Sequence, residues 1–290
     1  MKVFVTGATG YIGTALCDVL ARAGHTVSGL ARSEEKVALL QSRGRIAVRG
    51  SLEGRHVLEE ASAEADAVIH TAMAFDEQAP ERDHDAVESI LSATRPGRKP
   101  FIYTSGVWVM GDTRGRMLGE ISMLRPPELV SWRPAIEDLV LASQGMVFRP
   151  GMVFGRGGGF LAGMFNDART TGAVHIIGPG ENHWSCVHID DLAALYALAI
   201  AGPSPGELFI TCGGMPQPVR KIALAVAQAC GIEGKVESVA IEAARARYGA
   251  MADCLAMDLK AGSTKAARFF GWKVERPSIF DEIFAGSYGS

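Results

Sequence analysis

The stretch Thr6-Gly7-Ala8-Thr9-Gly10-Tyr11-Ile12-Gly13 decides the fold. It follows the apolar run Lys2-Val3-Phe4-Val5 and opens onto an amphipathic segment that reaches Ala23. A strand, a glycine turn and a helix in that order form the first βα unit of a dinucleotide-binding sheet. In such a turn Gly7 permits the tight bend, Gly10 lets the backbone approach a pyrophosphate, and Gly13 lets the helix lie close on the strand. Backbone amides at the helix start, around Thr9, Tyr11 and Ile12, then face the phosphates with the positive end of the helix dipole behind them.

Outward from this turn, strand-like and helix-like segments alternate. Strands are expected over 3–6, 26–31, 46–50, 67–71, 100–105 and 146–150, and helices over 11–23, 33–42, 57–63, 83–94 and 134–143. Strict alternation implies a parallel sheet covered on both faces, joined by right-handed crossovers: an α/β, doubly wound Rossmann sheet. After Arg149-Pro150 the texture changes to a glycine-dense run from Gly151 to Gly163, which reads either as a mobile or closely packed loop over a site or as a plain surface loop. The expected organisation is a dinucleotide-binding domain over 1–150, to which 186–215 returns, and a smaller C-terminal substrate lobe built from 151–185 and 216–290.

Bulk properties exclude several classes. The 290 residues suffice for one large core or a core with an appended lobe. A formal charge of −3 without a basic stripe leaves no footprint for nucleic acid. Five scattered cysteines without CxxC spacing suggest free thiols in a reducing compartment. No run is long and apolar enough for a bilayer, and the start at the first strand leaves no room for a signal peptide, so a soluble, cytoplasmic protein with no membrane partner is expected. No HxxxH, HExxH or clustered Cys/His spacing occurs, so no metal site is expected.

Cofactor choice turns on the end of the second strand, where a carboxylate would chelate ribose hydroxyls and repel a 2′-phosphate. The segment reads Leu30-Ala31-Arg32-Ser33. Arg32 can pair bidentately with a phosphate and Ser33 offers a second donor at a helix start, so NADP(H) is expected to be preferred, with NAD(H) also accommodated.

On these residues the chain resembles the extended short-chain dehydrogenase/reductase family, the NAD-dependent epimerase/dehydratase-like enzymes. Residues 6–13 match its TGxxGxxG, Asp66 to Ala72 its DxVxHxA strand, and Phe101 to Gly111 its fifth strand. Arg149 to Gly155 is similar to its RPxxVYG element, and Val187 to Ala193 to its VHVDDLA element. The resemblance implies further cofactor contacts at Ser51, Leu52, Thr71, Ala72, Thr104, Ser105, Arg133, Pro150 and Val153.

The family's catalytic set is where the likeness breaks. Its serine position falls on Gly106, with Ser105 one residue earlier, and aligning Glu137 with the family's glutamate puts Leu129 at the tyrosine and Arg133 at the lysine of YxxxK. No tyrosine stands four before a lysine. A leucine cannot transfer a proton, whereas Arg133 can hydrogen-bond ribose hydroxyls and present a fixed charge. An atypical member results, with Ser105 and Arg133 as candidate catalytic residues.

Other proton donors are His175 and His183, with Glu181 beside the same pocket. His188 beside Asp190-Asp191 reads better as packing, with an aspartate capping the next helix. Trp108, Trp132, Trp184, Met73, Met110, Phe75 and Phe154 suggest an apolar or aromatic substrate, or ordinary core, while Arg156 and Arg169 leave a nucleotide-sugar diphosphate open. The leading expectation is an NADP(H)-binding oxidoreductase acting on a small carbonyl, enone or imine compound. Alternatives are a nucleotide-sugar epimerase or dehydratase, and a silent dinucleotide-binding sensor. A homodimer through the helices over 83–94 and 134–143 is weakened by the shortness of the first and by Pro134.

Overall fold

The computed structural model describes residues 1–202 and 206–289; residues 203–205 of the expected returning segment, and residue 290, lie outside the described residues. Strands are β1 (Lys2–Thr6), β2 (Thr26–Ala31), β3 (Ile46–Arg49), β4 (Ala67–His70), β5 (Phe101–Thr104), β6 (Met146–Pro150), β7 (Met152–Gly155), β8 (Val174–Ile177), β9 (His183–Trp184), β10 (Cys186–His188), β11 (Leu208–Thr211), β12 (Gln217–Pro218) and β13 (Val236–Val239). The helices are α1 (Tyr11–Arg22), α2 (Glu34–Ser42), α3 (Arg55–Glu64), α4 (Ala79–Thr94), α5 (Arg133–Ala142), α6 (Gly159–Thr171), α7 (Ile189–Ile200), α8 (Val219–Ala229), α9 (Ile241–Tyr248), α10 (Met251–Ala256), α11 (Thr264–Phe270) and α12 (Ile279–Ala285).

A seven-stranded sheet has the order β11-β6-β5-β4-β1-β2-β3. The pairs β1·β2, β1·β4, β2·β3, β4·β5 and β5·β6 are all parallel. The strand order reverses between β1 and β4, so the carboxyl ends of these two strands form the topological switch point where such sheets bind ligands. β1, β4, β5 and β6 are almost entirely buried, as strands covered on both faces must be. This is the expected doubly wound Rossmann sheet.

The chain divides into two compact units. The first comprises Met1–Ser105, Trp132–Arg149 and Leu192–Phe209; the second comprises Gly106–Ser131, Pro150–Asp191 and Ile210–Ser290. The expected boundary at 150 therefore needs amendment: 106–131 belongs to the second unit, and the returning segment is 192–209. The first difference arises because the segment between β5 and α5 packs its apolar residues, Val107, Val109, Met110 and Val130, into the second unit's core beside Met152, Phe154 and Trp184.

The glycine-dense run is not an open loop. It forms β7, which pairs in parallel with β10, and the start of α6, joined by a short turn at Arg156-Gly157-Gly158. The α4 helix begins at Ala79, with Pro80 in its first turn, so it is longer than the 83–94 periodicity suggests, because proline is tolerated there. Among the described residues no helix is long and apolar enough to cross a membrane.

Candidate functional site

The glycine turn closes as its sequence requires. Gly7 has φ +70°, and its carbonyl accepts the Gly10 amide at 2.8 Å. A methyl group on Gly7 would stand 2.6 Å from the Ala72 nitrogen, and one on Gly13 only 2.0 Å from the Gly7 carbonyl oxygen. Glycine at these positions is thus what lets α1 sit on the end of β1 and the segment after β4 run alongside. The N-cap of α1 is Gly10, no side chain caps it, and no acid stands in the first turn, which suits an anion at that helix end. Thr71 closes the same corner by donating its hydroxyl to the Thr6 carbonyl at 2.8 Å. Gly7 to Gly13, Thr71 and Ala72 are therefore gathered in one cradle whose shape fits a dinucleotide pyrophosphate.

A second group gathers at the end of β5. Thr104 shares a 2.7 Å hydrogen bond with the hydroxyl of Tyr196 on α7. Ser105 is buried, and its hydroxyl has no partner. Arg133, at the first position of α5, is 3% exposed. It donates from Nη1 to the Thr104 carbonyl at 3.2 Å, and its guanidinium lies 5.2 Å and 5.9 Å from the ring centres of Trp132 and Tyr103. Arg133 Nε is buried without a partner, and among the described residues no carboxylate lies within ion-pair distance of this side chain.

Beneath both groups runs a polar network that no motif announces. Thr6 Oγ1 lies 2.9 Å from His70 Nδ1, His70 Nε2 donates to Asp83 Oδ1 at 2.8 Å, and the Tyr103 hydroxyl donates to Asp83 Oδ2 at 2.6 Å. Burial pushes the Asp83 carboxyl up. The hydrogen bond and charge of His70, the charge of Arg133 and the Tyr103 hydroxyl outweigh burial and hold it below the usual range. Burial likewise pushes the Tyr103 phenol well above its ordinary value, and that of Tyr196 upward. Below this network Arg149 makes a bidentate, fully buried ion pair with Glu137 on α5. The sequence signal for Asp83 was faint: its place on the buried face of α4, one turn into a helix whose start was missed.

The remaining sequence-derived candidates distribute differently. Arg32 is exposed after β2, and Ser33 is the N-cap of α2, its hydroxyl accepting the Lys36 amide. Ser51 donates to Glu53 at 2.9 Å, and Leu52 is half-buried beside it. Pro150 ends β6 and Val153 lies in β7, both counted in the second unit. In that unit His183 Nδ1 is held at 2.9 Å by Asp258, and His175 Nδ1 at 2.8 Å by Asp167; Glu181 is exposed. His188 is buried against the Phe154 ring, accepts the Asp190 amide and lies 3.7 Å from Glu282; burial lowers its pKa. Asp191 accepts amides of Glu275 and Arg276, so it ties the C-terminal segment down.

The apolar set is divided between the two units. Met110, Phe154 and Trp184 are core of the second unit and Trp108 packs against it, whereas Met73, Phe75 and Trp132 are in the first. Arg156 is paired with Asp190, and Arg169 donates to the Tyr288 carbonyl, so neither stands open for a diphosphate. Among the described residues His84, Asp85 and Glu88 bring ligand atoms within 4.8 Å of one another, all three exposed on α4.

A Rossmann sheet carrying this cradle defines an NAD(P)-dependent enzyme of the oxidoreductase/epimerase type. Residues 3–127 match the NAD dependent epimerase/dehydratase family, and the uncharacterized protein C2A9.02 of Schizosaccharomyces pombe is 32% identical over 297 aligned positions, covering 99% of this chain and all of the relative. The chain belongs to that family. It is also 28% identical to a 4-hydroxy-2-methyl-3-oxo-4-farnesyl-3,4-dihydroquinoline-1-oxide ketoreductase of Stigmatella aurantiaca, over 85% of this chain and 78% of the relative. Among solved structures it matches dTDP-glucose 4,6-dehydratase of Bacillus anthracis with a TM-score of 0.82 at 14% identity, over 99% and 95% of the two chains.

That dehydratase structure holds NAD, as do four further matched structures, against one with NADPH. The expected preference for NADP(H) is thereby overturned. The local structure supplies a reason: the Ser33 hydroxyl is engaged as a helix cap, the charge of Arg32 acts on the nearby carboxylate of Glu53, and Glu34 and Glu35 open α2. Carboxylates at that rim repel a 2′-phosphate and suit ribose hydroxyls.

Proposed function

We propose that the first unit binds NAD(H) and uses it in a redox step at a hydroxyl-bearing or carbonyl carbon of a small organic substrate. The step is of the epimerase/dehydratase kind, in which the dinucleotide is reduced and reoxidised within one cycle. The observation that carries this reading is the pair of buried, unpartnered polar groups, Ser105 Oγ and Arg133 Nε, on the same sheet edge as the glycine cradle. An unpaired buried polar atom costs about 1–3 kcal/mol, so two together mark a place built to receive a ligand.

In this reading Gly7, Gly10 and Gly13, with the α1 amides around Thr9, Tyr11 and Ile12, hold the pyrophosphate. Ser51 and Leu52 flank the adenine side, and Thr71, Ala72 and Thr104 line the path toward the nicotinamide. When bound, the dinucleotide supplies the hydride acceptor or donor. Ser105 donates a hydrogen bond to the substrate oxygen. Arg133 holds ribose hydroxyls and sets a fixed positive charge beside the oxygen where negative charge develops. Tyr103 and Tyr196 take no part in proton transfer: their hydroxyls are engaged by Asp83 and Thr104, and burial raises both phenols. We infer that the substrate or water exchanges the proton, which favours substrates whose own acidity makes a catalytic tyrosine dispensable.

A second reading, net reduction of a small carbonyl compound, draws on the ketoreductase relative. One experiment separates them. The purified protein is titrated with NAD+ and NADH, then incubated with NAD+ and dTDP- or UDP-glucose, and separately with NADH and a β-keto ester, with absorbance at 340 nm and product chromatography. Product without net absorbance change supports the first reading, and stoichiometric NADH loss the second. In either case Ser105→Ala lowers kcat/KM by about tenfold or more, the equivalent of one substrate hydrogen bond of about 1.4 kcal/mol. Failure to bind either dinucleotide refutes both.

A further inference from the structure

The second unit carries a site of another kind, in the segment between β5 and α5. A cavity of about 440 Å³ is lined by Met110, Asp112, Arg114, Arg116, Met117, Leu118, Ser122, Met123 and Arg125. Its volume is in the range of small-molecule sites. Three of the lining residues are arginines, and among the described residues none of Arg114, Arg116 and Arg125 has an ion pair.

The acids nearby are engaged elsewhere. Asp112 accepts the backbone amide of Arg114 at 2.8 Å. Asp258 accepts the Thr113 hydroxyl at 2.7 Å, the Gly115 amide at 2.8 Å, and the amide and ring of His183. Glu120 accepts the Ile210 amide. Among the described residues, none of these three carboxylates makes an ion pair with Arg114, Arg116 or Arg125; each accepts other donors.

The segment is also rigidly set. Thr113 and Leu118 donate their amides to the carbonyls of Asp258 and Lys260. Gly111 runs so close to the Arg125 carbonyl that a methyl group would stand 2.1 Å from its oxygen. Arg114 is held at φ +50°, a backbone strain of the sort that collects at ligand sites. Beside these cations Met117, Met123 and Ile121 are exposed at 51%, 77% and 102%, and methionine surfaces adapt to varied apolar chains.

We propose that this cavity binds an amphipathic anion, with a carboxylate or phosphate head on Arg114, Arg116 and Arg125 and an aliphatic chain against Met117, Leu118 and Met123. All its residues belong to the second unit.

The test uses the full chain and calorimetric titration with decanoate, decyl phosphate, decanol and inorganic phosphate, repeated in the paired substitution Arg116→Gln with Arg125→Gln and in Met123→Ser. Decanoate or decyl phosphate should bind at least tenfold more tightly than decanol and than inorganic phosphate, the stronger of the two naming the head group. Affinity should fall at least tenfold in the arginine variant and severalfold in Met123→Ser, with NADH titration and melting temperature unchanged in both. Equal binding of decanol, or anion binding indifferent to the arginine substitutions, overturns the proposal. So does binding only to vesicles containing anionic lipid, which would make this surface a membrane contact.

Discussion

Replacing Asp83 by alanine removes the only acceptor, among the described residues, of two buried donors, His70 Nε2 and the Tyr103 hydroxyl, which reach it at 2.8 Å and 2.6 Å. Each orphaned donor costs about 1–3 kcal/mol, so the two together lead us to expect a loss of about 4 kcal/mol from the first unit. With a urea slope of about 3 kcal/mol per M, the unfolding midpoint should fall by about 1.3 M at pH 7, read by circular dichroism. Asp83→Asn keeps one acceptor and should fall between variant and wild type. The pH dependence identifies the carboxylate as the carrier. Its folded pKa is depressed, so its contribution is complete above the unfolded value of about 4 and drains as pH falls through the folded one. The gap between wild type and Asp83→Ala should narrow accordingly in acid. A midpoint shift below about 0.3 M at pH 7, or a gap unchanged down to about pH 2, would refute the account.

Gly13→Ala would place a methyl group 2.0 Å from the Gly7 carbonyl oxygen, forcing α1 off β1 at about 3 kcal/mol; NADH affinity by calorimetry should drop on the order of 100-fold, and binding within threefold of wild type would count against the cradle. Burial pushes the thiols of Cys17, Cys212 and Cys254 up to about 12 and that of Cys186 higher, so an aromatic disulfide reagent should titrate no thiol but half-buried Cys230 until denaturant releases all five. Tyr288→Phe deletes the hydroxyl that accepts the Gly155 amide at 2.7 Å and donates to the Gly158 carbonyl at 2.6 Å; losing these two hydrogen bonds costs about 1–3 kcal/mol, visible as a lowered melting temperature without loss of NADH binding.

What could be read from the chain was what is local. Gly7, Gly10 and Gly13 lie within seven residues, and their function depends on backbone space that only glycine leaves, so the turn and the sheet it begins were legible. The alternation of β1 through β6 with helices followed from periodicity alone. The Asp83 network was not legible, because its members come from β1, β4, α4 and β5 and meet only when residues 13 to 64 positions apart become neighbours. The glycine-dense run misled for a related reason. Glycine density reads as a loop, yet β7 exists because β10 pairs with it, and Gly151 is needed where a methyl group would meet the Ser185 carbonyl at 2.4 Å. Arg32 misled because its sequence neighbours do not include Glu53, a carboxylate that comes within range of its charge only in the fold.

The placement of Arg133 shows how a buried cation can be kept ready for a ligand. A guanidinium bonded bidentately to a carboxylate, as Arg149 is to Glu137, is neutralised and serves packing. Arg133 instead rests on the Thr104 carbonyl and the rings of Trp132 and Tyr103, contacts that orient it without cancelling its charge. The balancing carboxylate, Asp83, acts through space and gives its hydrogen bonds to His70 and Tyr103. A lysine could not reproduce this arrangement, since its ammonium has no planar face to lie between rings while directing donors outward. Arg133→Lys should therefore keep the charge and lose its placement. We expect near-normal stability at neutral pH with weakened NADH affinity, whereas Arg133→Met, by leaving Asp83 with less opposing charge, should also raise the pH at which the first unit unfolds in acid. Equal dinucleotide affinity in the lysine variant would mean that charge alone, and not its orientation, is what this position contributes.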